Sequence, residues 1–308
     1  MRDPHLSGRA AGHPTPALQR APSGRAAGHP TPALQKAPSA GAKAPWPPLI
    51  AVAHGSADPR AAATITELTD AVAARASASG LPGLPVRAAY LGHALPSVPA
   101  VLESLCPLAA QHRAGDPRPV VVLPLLLTPA YHSDTDLPAV LREIRGRLPG
   151  LRIRYGQPLG PHPALIRALE RRLSEAGAGA RPATTAIVLA AAGSSRPQAN
   201  AAVASLARQW RSKRGWRAVV PAYASAASPA PGEAVASLLR SGAERVIVAT
   251  YLLAPGFFAD QVREQSLAAG AHAVSAPLGA APEVAGLIVG RYLQSARDGN
   301  GIDVAAMS

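Results

Sequence analysis

Leu49-Ile50-Ala51-Val52-Ala53-His54-Gly55-Ser56-Ala57-Asp58-Pro59-Arg60, residues 49–60, is the stretch that decides the fold. Its unbroken apolar run reads as a strand that ends at a histidine and turns into an amphipathic helix at about 60–78. The pattern then repeats down the chain. Strands at 86–91, 119–127 and 151–155 alternate with helices at 97–112, 137–148 and 162–175. Four such β-α units predict a parallel sheet covered by helices on both faces.

Beyond a linker at Gly177-Ala178-Gly179-Ala180-Arg181-Pro182 the series starts again. Strands at 186–191, 217–222, 245–253 and 272–276 alternate with helices at 197–213, 232–241, 259–269 and 282–296. The second series copies landmarks of the first in order. Gly55-Ser56 matches Gly193-Ser194, Leu126–Asp134 matches Leu252–Asp260, and Pro158-Leu159-Gly160 matches Pro277-Leu278-Gly279. The expected fold class is therefore α/β, as two tandem doubly wound, flavodoxin-like parallel-sheet domains at 49–176 and 183–297.

Upstream, residues 7–22 recur at 23–38 with one change, Arg20 to Lys36. This Pro-rich copy has no apolar periodicity and cannot bury enough surface to offset ordering entropy. Residues 1–48 are expected to be a disordered tail, and the histidines inside the repeat, His13 and His29, to be solvated.

Composition narrows the function. The 308 residues are 48% hydrophobic and 16% charged, enough for a core, with a formal net charge of +13. Such a balance suits nucleic acid or a polyanionic small substrate equally. No aromatic-basic recognition module appears, which argues against nucleic acid. The single cysteine, Cys106, excludes an internal disulfide framework and any multi-cysteine metal site, and reads as a buried structural thiol. The longest apolar stretch, Val120–Leu127, is broken by Pro124 and falls far short of the roughly 20 residues of a membrane span. The start Met1-Arg2-Asp3-Pro4 offers no apolar leader core, so a cytoplasmic protein without a membrane partner is expected.

The copy differs from the original where chemistry is concentrated. His54 is replaced by Ala192 and His132 by Phe258. A shared structural role would keep both imidazoles in both halves, so their joint loss marks them as working together. In open parallel sheets ligands bind beyond the carboxyl ends of the strands. His54 stands at that edge of the first strand and His132 a few residues past the third. Neutral imidazole suits Co, Ni, Fe or Zn, and two histidines leave coordination positions open.

The stretch LIAVAHGSADPR, with VVVLPLLLTPAYHSDTDLP and Pro158-Leu159-Gly160, resembles the class II sirohydrochlorin chelatases. The resemblance is strong over 49–175 and degenerate over 183–296. It implies a chelatase-like fold and a lyase that inserts Co(II) or Fe(II) into sirohydrochlorin, toward cobalamin or sirohaem, without a nucleotide. No Gly-x-x-x-x-Gly-Lys-Ser/Thr phosphate loop is present, in agreement. Carried over by position, His54 and His132 are the catalytic pair that binds the metal and handles protons. Where family members often carry a carboxylate after the second strand, this chain has Gly92. His93 beside it is either the third metal ligand or an ordinary loop or helix-cap residue.

Sirohydrochlorin carries eight carboxylates, so basic groups are expected to hold it. Arg60 and Arg142 are candidate clamps through bidentate pairing, or plain surface charge. Ser56 offers a hydroxyl or N–H to a carboxylate, or caps the first helix. Asp134 and Asp136 read as structural, the latter as a helix cap. Tyr131 reads as cleft wall or packing, and His5, His112 and His162 have no assigned role. Two other readings stand beside the chelatase: a non-catalytic cobalt or nickel carrier on the same fold, and a nucleic-acid or membrane-surface protein acting through its basic tail. Internal duplication suits a monomer or a homodimer.

Overall fold

The computed structural model describes residues 46–105, 119–128, 137–178, 182–297 and 302–303. The tail expected at 1–48 therefore lies outside the described residues up to residue 45, as do Cys106, His112, Tyr131, His132, Asp134 and Asp136.

The first half runs β1 (Leu49–Ala53), α1 (Pro59–Ala78), β2 (Val86–Tyr90), α2 (Val98–Ser104), β3 (Val120–Pro124), α3 (Leu137–Arg147), β4 (Ile153–Tyr155) and α4 (Pro163–Glu175). The second runs β5 (Thr185–Ala191), α5 (Pro197–Arg214), β6 (Ala218–Tyr223), α6 (Pro231–Arg240), β7 (Arg245–Tyr251), α7 (Phe257–Ala268), β8 (Ala273–Val274) and α8 (Pro282–Arg297). The strand orders are β2-β1-β3-β4 and β6-β5-β7-β8, parallel throughout. A two-residue strand that the sequence did not reveal, β9 (Ile302–Asp303), adds to the first sheet antiparallel to β4.

β1, β3 and β5 are buried at every residue, which is why they read as continuous apolar runs rather than alternating ones. Alternation reappears in which face each residue serves. Ile50 and Val52 join Val101, Leu102, Leu141 and Ile144 in an outer core under α2 and α3. Leu49, Ala51 and Ala53 face the other way, into a core shared with Ile187, Leu189, Trp210 and Ile247 of the second half. A third core, around Val188, Val235, Val248 and Val262, closes the outer face of the second sheet.

The two halves of the sequence exchange their last helices. α4 packs on β7 of the second sheet, and α8 packs on α1, β3 and β4 of the first. Polar contacts fix both placements. Glu170 of α4 accepts from Trp210 Nε1 at 3.0 Å and from Arg214 Nε and Nη2 at 2.7 Å each. Arg154 of β4 donates to the carbonyls of Ser295 and Ala296 near the end of α8, and Tyr292 Oη donates to Pro47 O at 2.8 Å. Segments 49–176 and 183–297 are thus repeats in sequence, while in space each sheet is covered by a helix of the other. No described helix is long and apolar enough to cross a membrane.

Candidate metal centre

The strand order places β1 between β2 and β3, so the loops beyond their carboxyl ends meet above the first sheet. The β1–α1 loop and the β2–α2 loop continue the parallel pairing past the strands. Leu91 N donates to Ala53 O at 3.1 Å and Gly92 N to His54 O at 3.0 Å. Gly55 has φ 94°, and a Cβ added there would lie 1.7 Å from Gly92 O. Only glycine fits where these two loops cross.

This crossing sets His54 and His93 side by side. Both are exposed, their ring planes lie within 3° of parallel, and their centroids are 6.4 Å apart. Metal–imidazole bonds are about 2.1 Å, so two rings sharing one ion have centroids roughly 5–6.5 Å apart. Rotation about the side-chain torsions can bring their nitrogens to one ion. Among the described residues no group of three or more His, Cys, Asp or Glu is placed to hold a metal. A third protein ligand would come from elsewhere, and His132, the sequence candidate, lies outside the described residues.

The second half rebuilds the same frame without the imidazoles. Ala224 N and Ser225 N donate to Ala191 O and Ala192 O at 2.9 Å each. Gly193 has φ 85°, and its added Cβ would lie 1.9 Å from Ser225 O. His54 therefore corresponds to Ala192, and His93 to Ala226. Both members of the latter pair have positive φ, and each lies two residues before a cis X–Pro bond. This third lost histidine was readable in the sequence, by setting LGHALPS (91–97) against ASAASPA (224–230).

Ser56 and Arg60 are engaged with the protein. Ser56 Oγ accepts from Asp58 N at 3.1 Å, and the helix cap expected of Ser56 is Asp58, whose Oδ1 accepts from Arg60 N at 2.9 Å. Arg60 grips Asp58, with Nη2 at 2.6 Å from Oδ2, and reaches Asp260 in the first turn of α7, with Nη2 at 2.5 Å and Nη1 at 3.3 Å. Hydrogen bonding to Arg60 holds the Asp58 carboxyl below its ordinary range, and the two carboxylates raise the Arg60 guanidinium in turn. Arg60 joins the two halves beside the histidine loop. Gly256 faces the same loop, where a Cβ would stand at ordinary contact distance, 3.7 Å, from Ser56 Oγ. Arg142 is exposed on α3.

A cavity of about 460 Å³ opens elsewhere, between α1, α4 and α8, with Arg75, His162, Arg167 and Arg291 in its lining. His162 caps α4, its Nδ1 accepting from Ala164 N at 3.1 Å. Burial, then Arg291 and Arg167, lowers its pKa.

The CbiX family model matches residues 48–176 and again 186–295. The sirohydrochlorin cobaltochelatase of Priestia megaterium is 31% identical over 147 residues, which cover 47% of this chain and 48% of that protein. The sirohydrochlorin ferrochelatase of Bacillus subtilis (strain 168) is 26% identical over 186 residues, 59% of this chain and 70% of that protein. The chain thus spans about half the length of the first of these relatives. In fold it is similar to SirB from Bacillus subtilis with Fe3+, at a TM-score of 0.69 and 22% identity over 84% of this chain and 98% of that one. The cobalt complex of SirB from Bacillus subtilis subspecies spizizenii gives 0.65 at 21% identity, over 83% of this chain and 98% of that one. With the family model matching two successive segments that together make up most of its length, the chain belongs to the CbiX family.

Proposed function

We propose that this chain inserts Co(II) or Fe(II) into sirohydrochlorin without a nucleotide, as a step toward cobalamin or sirohaem. One observation supports this reading above the others. The frame positions that carry His54 and His93 in the first half carry Ala192 and Ala226 in the second, so these imidazoles sit where the frame itself does not need them, and the sequence match sets His132 against Phe258.

The balanced reaction exchanges one divalent ion for two pyrrole protons: M2+ plus metal-free macrocycle gives metallated macrocycle plus 2 H+. His54, His93 and His132 present the ion with open positions, so that the macrocycle nitrogens can replace water. A histidine of this cluster that is not holding the ion serves as the acceptor for a departing pyrrole proton. His93 takes the ligand place that a carboxylate often fills in the family. Arg142 and the Ser56 loop offer contacts to the carboxylate rim of the substrate. Arg60 divides its donors between Asp58 and Asp260, and serves first to hold the halves together beside the cleft. The protein acts in the cytoplasm as a monomer or homodimer, with neither nucleic acid nor a membrane as partner.

The test is the visible spectrum of sirohydrochlorin with Co(II), then Fe(II), with and without protein, alongside His54→Ala and His132→Ala. Acceleration by wild type that both variants lose supports the reading and ranks the metals. A rate that stays at the spontaneous level, with tight cobalt or nickel binding, replaces it with a non-catalytic carrier.

A further inference from the structure

Among the described residues four large hydrophobic side chains stand exposed: Leu95 at 84%, Phe257 at 75%, Leu267 at 42% and Phe258 at 39%. Single exposed apolar residues are ordinary, but clustering at one place is not. Three of these four stand near the β1–α1 loop: Leu95 on the neighbouring β2–α2 loop, and Phe257 and Phe258 in the first turn of α7. Leu95 lies two residues beyond His93, in the loop whose Gly92 carbonyl abuts Gly55. Phe257 and Phe258 follow Gly256, the residue set against Ser56 and Asp58. The two phenyl rings meet edge to face, with centroids 5.6 Å apart and planes at 63°, so each holds the other in place.

The repeat shows that folding does not require Leu95 or Phe258, whereas Phe257 matches Tyr131, so an aromatic residue is kept at that position in both halves. Leu95 corresponds to Ser228 in the second half, within the same turn before a cis proline. Phe258 stands where the first half has His132. The second half has lost its imidazoles at this level and presents a phenyl ring, Phe258, at the position of His132.

We infer that Leu95, Phe257 and Phe258 form an apolar wall that seats the flat face of the tetrapyrrole beside the imidazoles. The inference rests on the chelatase reading. A tetrapyrrole offers an apolar π face inside a carboxylate rim, and aromatic rings receive such a face through offset or edge-on contacts. Leu95 lies on the loop of His93, and the phenyl rings begin the helix that follows Gly256 beside the His54 loop, where a macrocycle must come to receive the ion. The first half thus contributes ligands and one side of the seat, and the second contributes the aromatic side.

The experiment titrates metal-free sirohydrochlorin into wild type, Phe257→Ala/Phe258→Ala, Leu95→Ala and Leu267→Ala, reading quenching of macrocycle fluorescence. Co(II) affinity is measured in parallel, and thermal melts confirm folding. The double variant is expected to bind the macrocycle at least tenfold more weakly and Leu95→Ala about threefold, with matching rises in KM. Co(II) affinity is expected to stay at the wild-type level throughout, and Leu267→Ala to match wild type in both titrations. Retained macrocycle affinity in the double variant, with wild type binding normally, overturns the wall alone. A wild-type dimer that the double variant turns into a monomer assigns the surface to a second copy of the chain and overturns it too. Wild type that binds no sirohydrochlorin overturns the chelatase reading itself, and the wall with it.

Discussion

His93 and Ala226 stand at equivalent points of the two halves and share a left-handed backbone, with φ of 57° and 56°. Side chains other than glycine are disfavoured there by roughly 1–2 kcal/mol. The fold imposes this conformation in both halves, but only the first uses it to bring an imidazole to 6.4 Å from that of His54.

Relieving that strain separates stability from binding. Ala226→Gly is expected to stabilise the protein by about 1 kcal/mol and leave cobalt affinity unchanged. His93→Gly should stabilise it by a similar amount while weakening cobalt binding at least tenfold. Denaturant unfolding and calorimetric cobalt titration of the two variants check this.

Gly55→Ala places a methyl group 1.7 Å from the Gly92 carbonyl, with φ at 94°. Two loops must part to admit it, at a cost on the order of 3 kcal/mol. Unfolding curves should show the loss, and cobalt binding should fall with it because the crossing of these loops pairs His54 with His93. Gly193→Ala, whose Cβ would lie 1.9 Å from Ser225 O, should destabilise comparably and spare the cobalt affinity of the folded protein.

The Asp58 carboxyl is held below its ordinary value by Arg60. A depressed carboxyl adds stability that is fully present above its unfolded value, about 3.9, and lost as the pH falls through its folded value. Asn caps a helix as well as Asp does, so Asp58→Asn isolates the charge. The variant should be less stable than wild type at pH 7, with the gap closing as the pH falls below the ordinary carboxyl value of about 4. Melting temperatures of both proteins over that range measure it.

Glu170 of α4 is the acceptor for the indole N–H of Trp210, a side chain with no exposed surface. Glu170→Ala leaves that donor and Arg214 without their carboxylate, and a buried unsatisfied donor costs about 1–3 kcal/mol. The variant should unfold at lower denaturant, followed by tryptophan fluorescence, with Arg214→Ala alone costing less.

Most of the fold was legible because buried parallel strands announce themselves. Leu49–Ala53 and residues 186–191 are apolar runs with no polar position to confuse their assignment. The histidine pattern was legible because the chain contains its own control, in which His54 is matched by Ala192. What stayed hidden depends on contacts between distant residues. Arg60 invites reading as a free clamp, since nothing in residues 49–60 discloses Asp260, two hundred positions along. Nor does the amphipathic pattern of 163–175 say which sheet its apolar face will cover, so the helix exchange escaped. A strand as short as Ile302–Asp303 has too few residues to show any period.

The exchange of α4 and α8 also bears on why a half stripped of its imidazoles is retained. A chain ending at residue 176 would leave the α8 side of β3 and β4 bare and send α4 out with no sheet to lie on. Tyr292 and Arg154, which tie the last helix to the opposite half, make the two copies fold as one interlocked body rather than as separable modules. The copy that carries His54 and His93 therefore depends on the other for solubility, and a gene cut between them is expected to yield aggregates rather than a smaller folded protein.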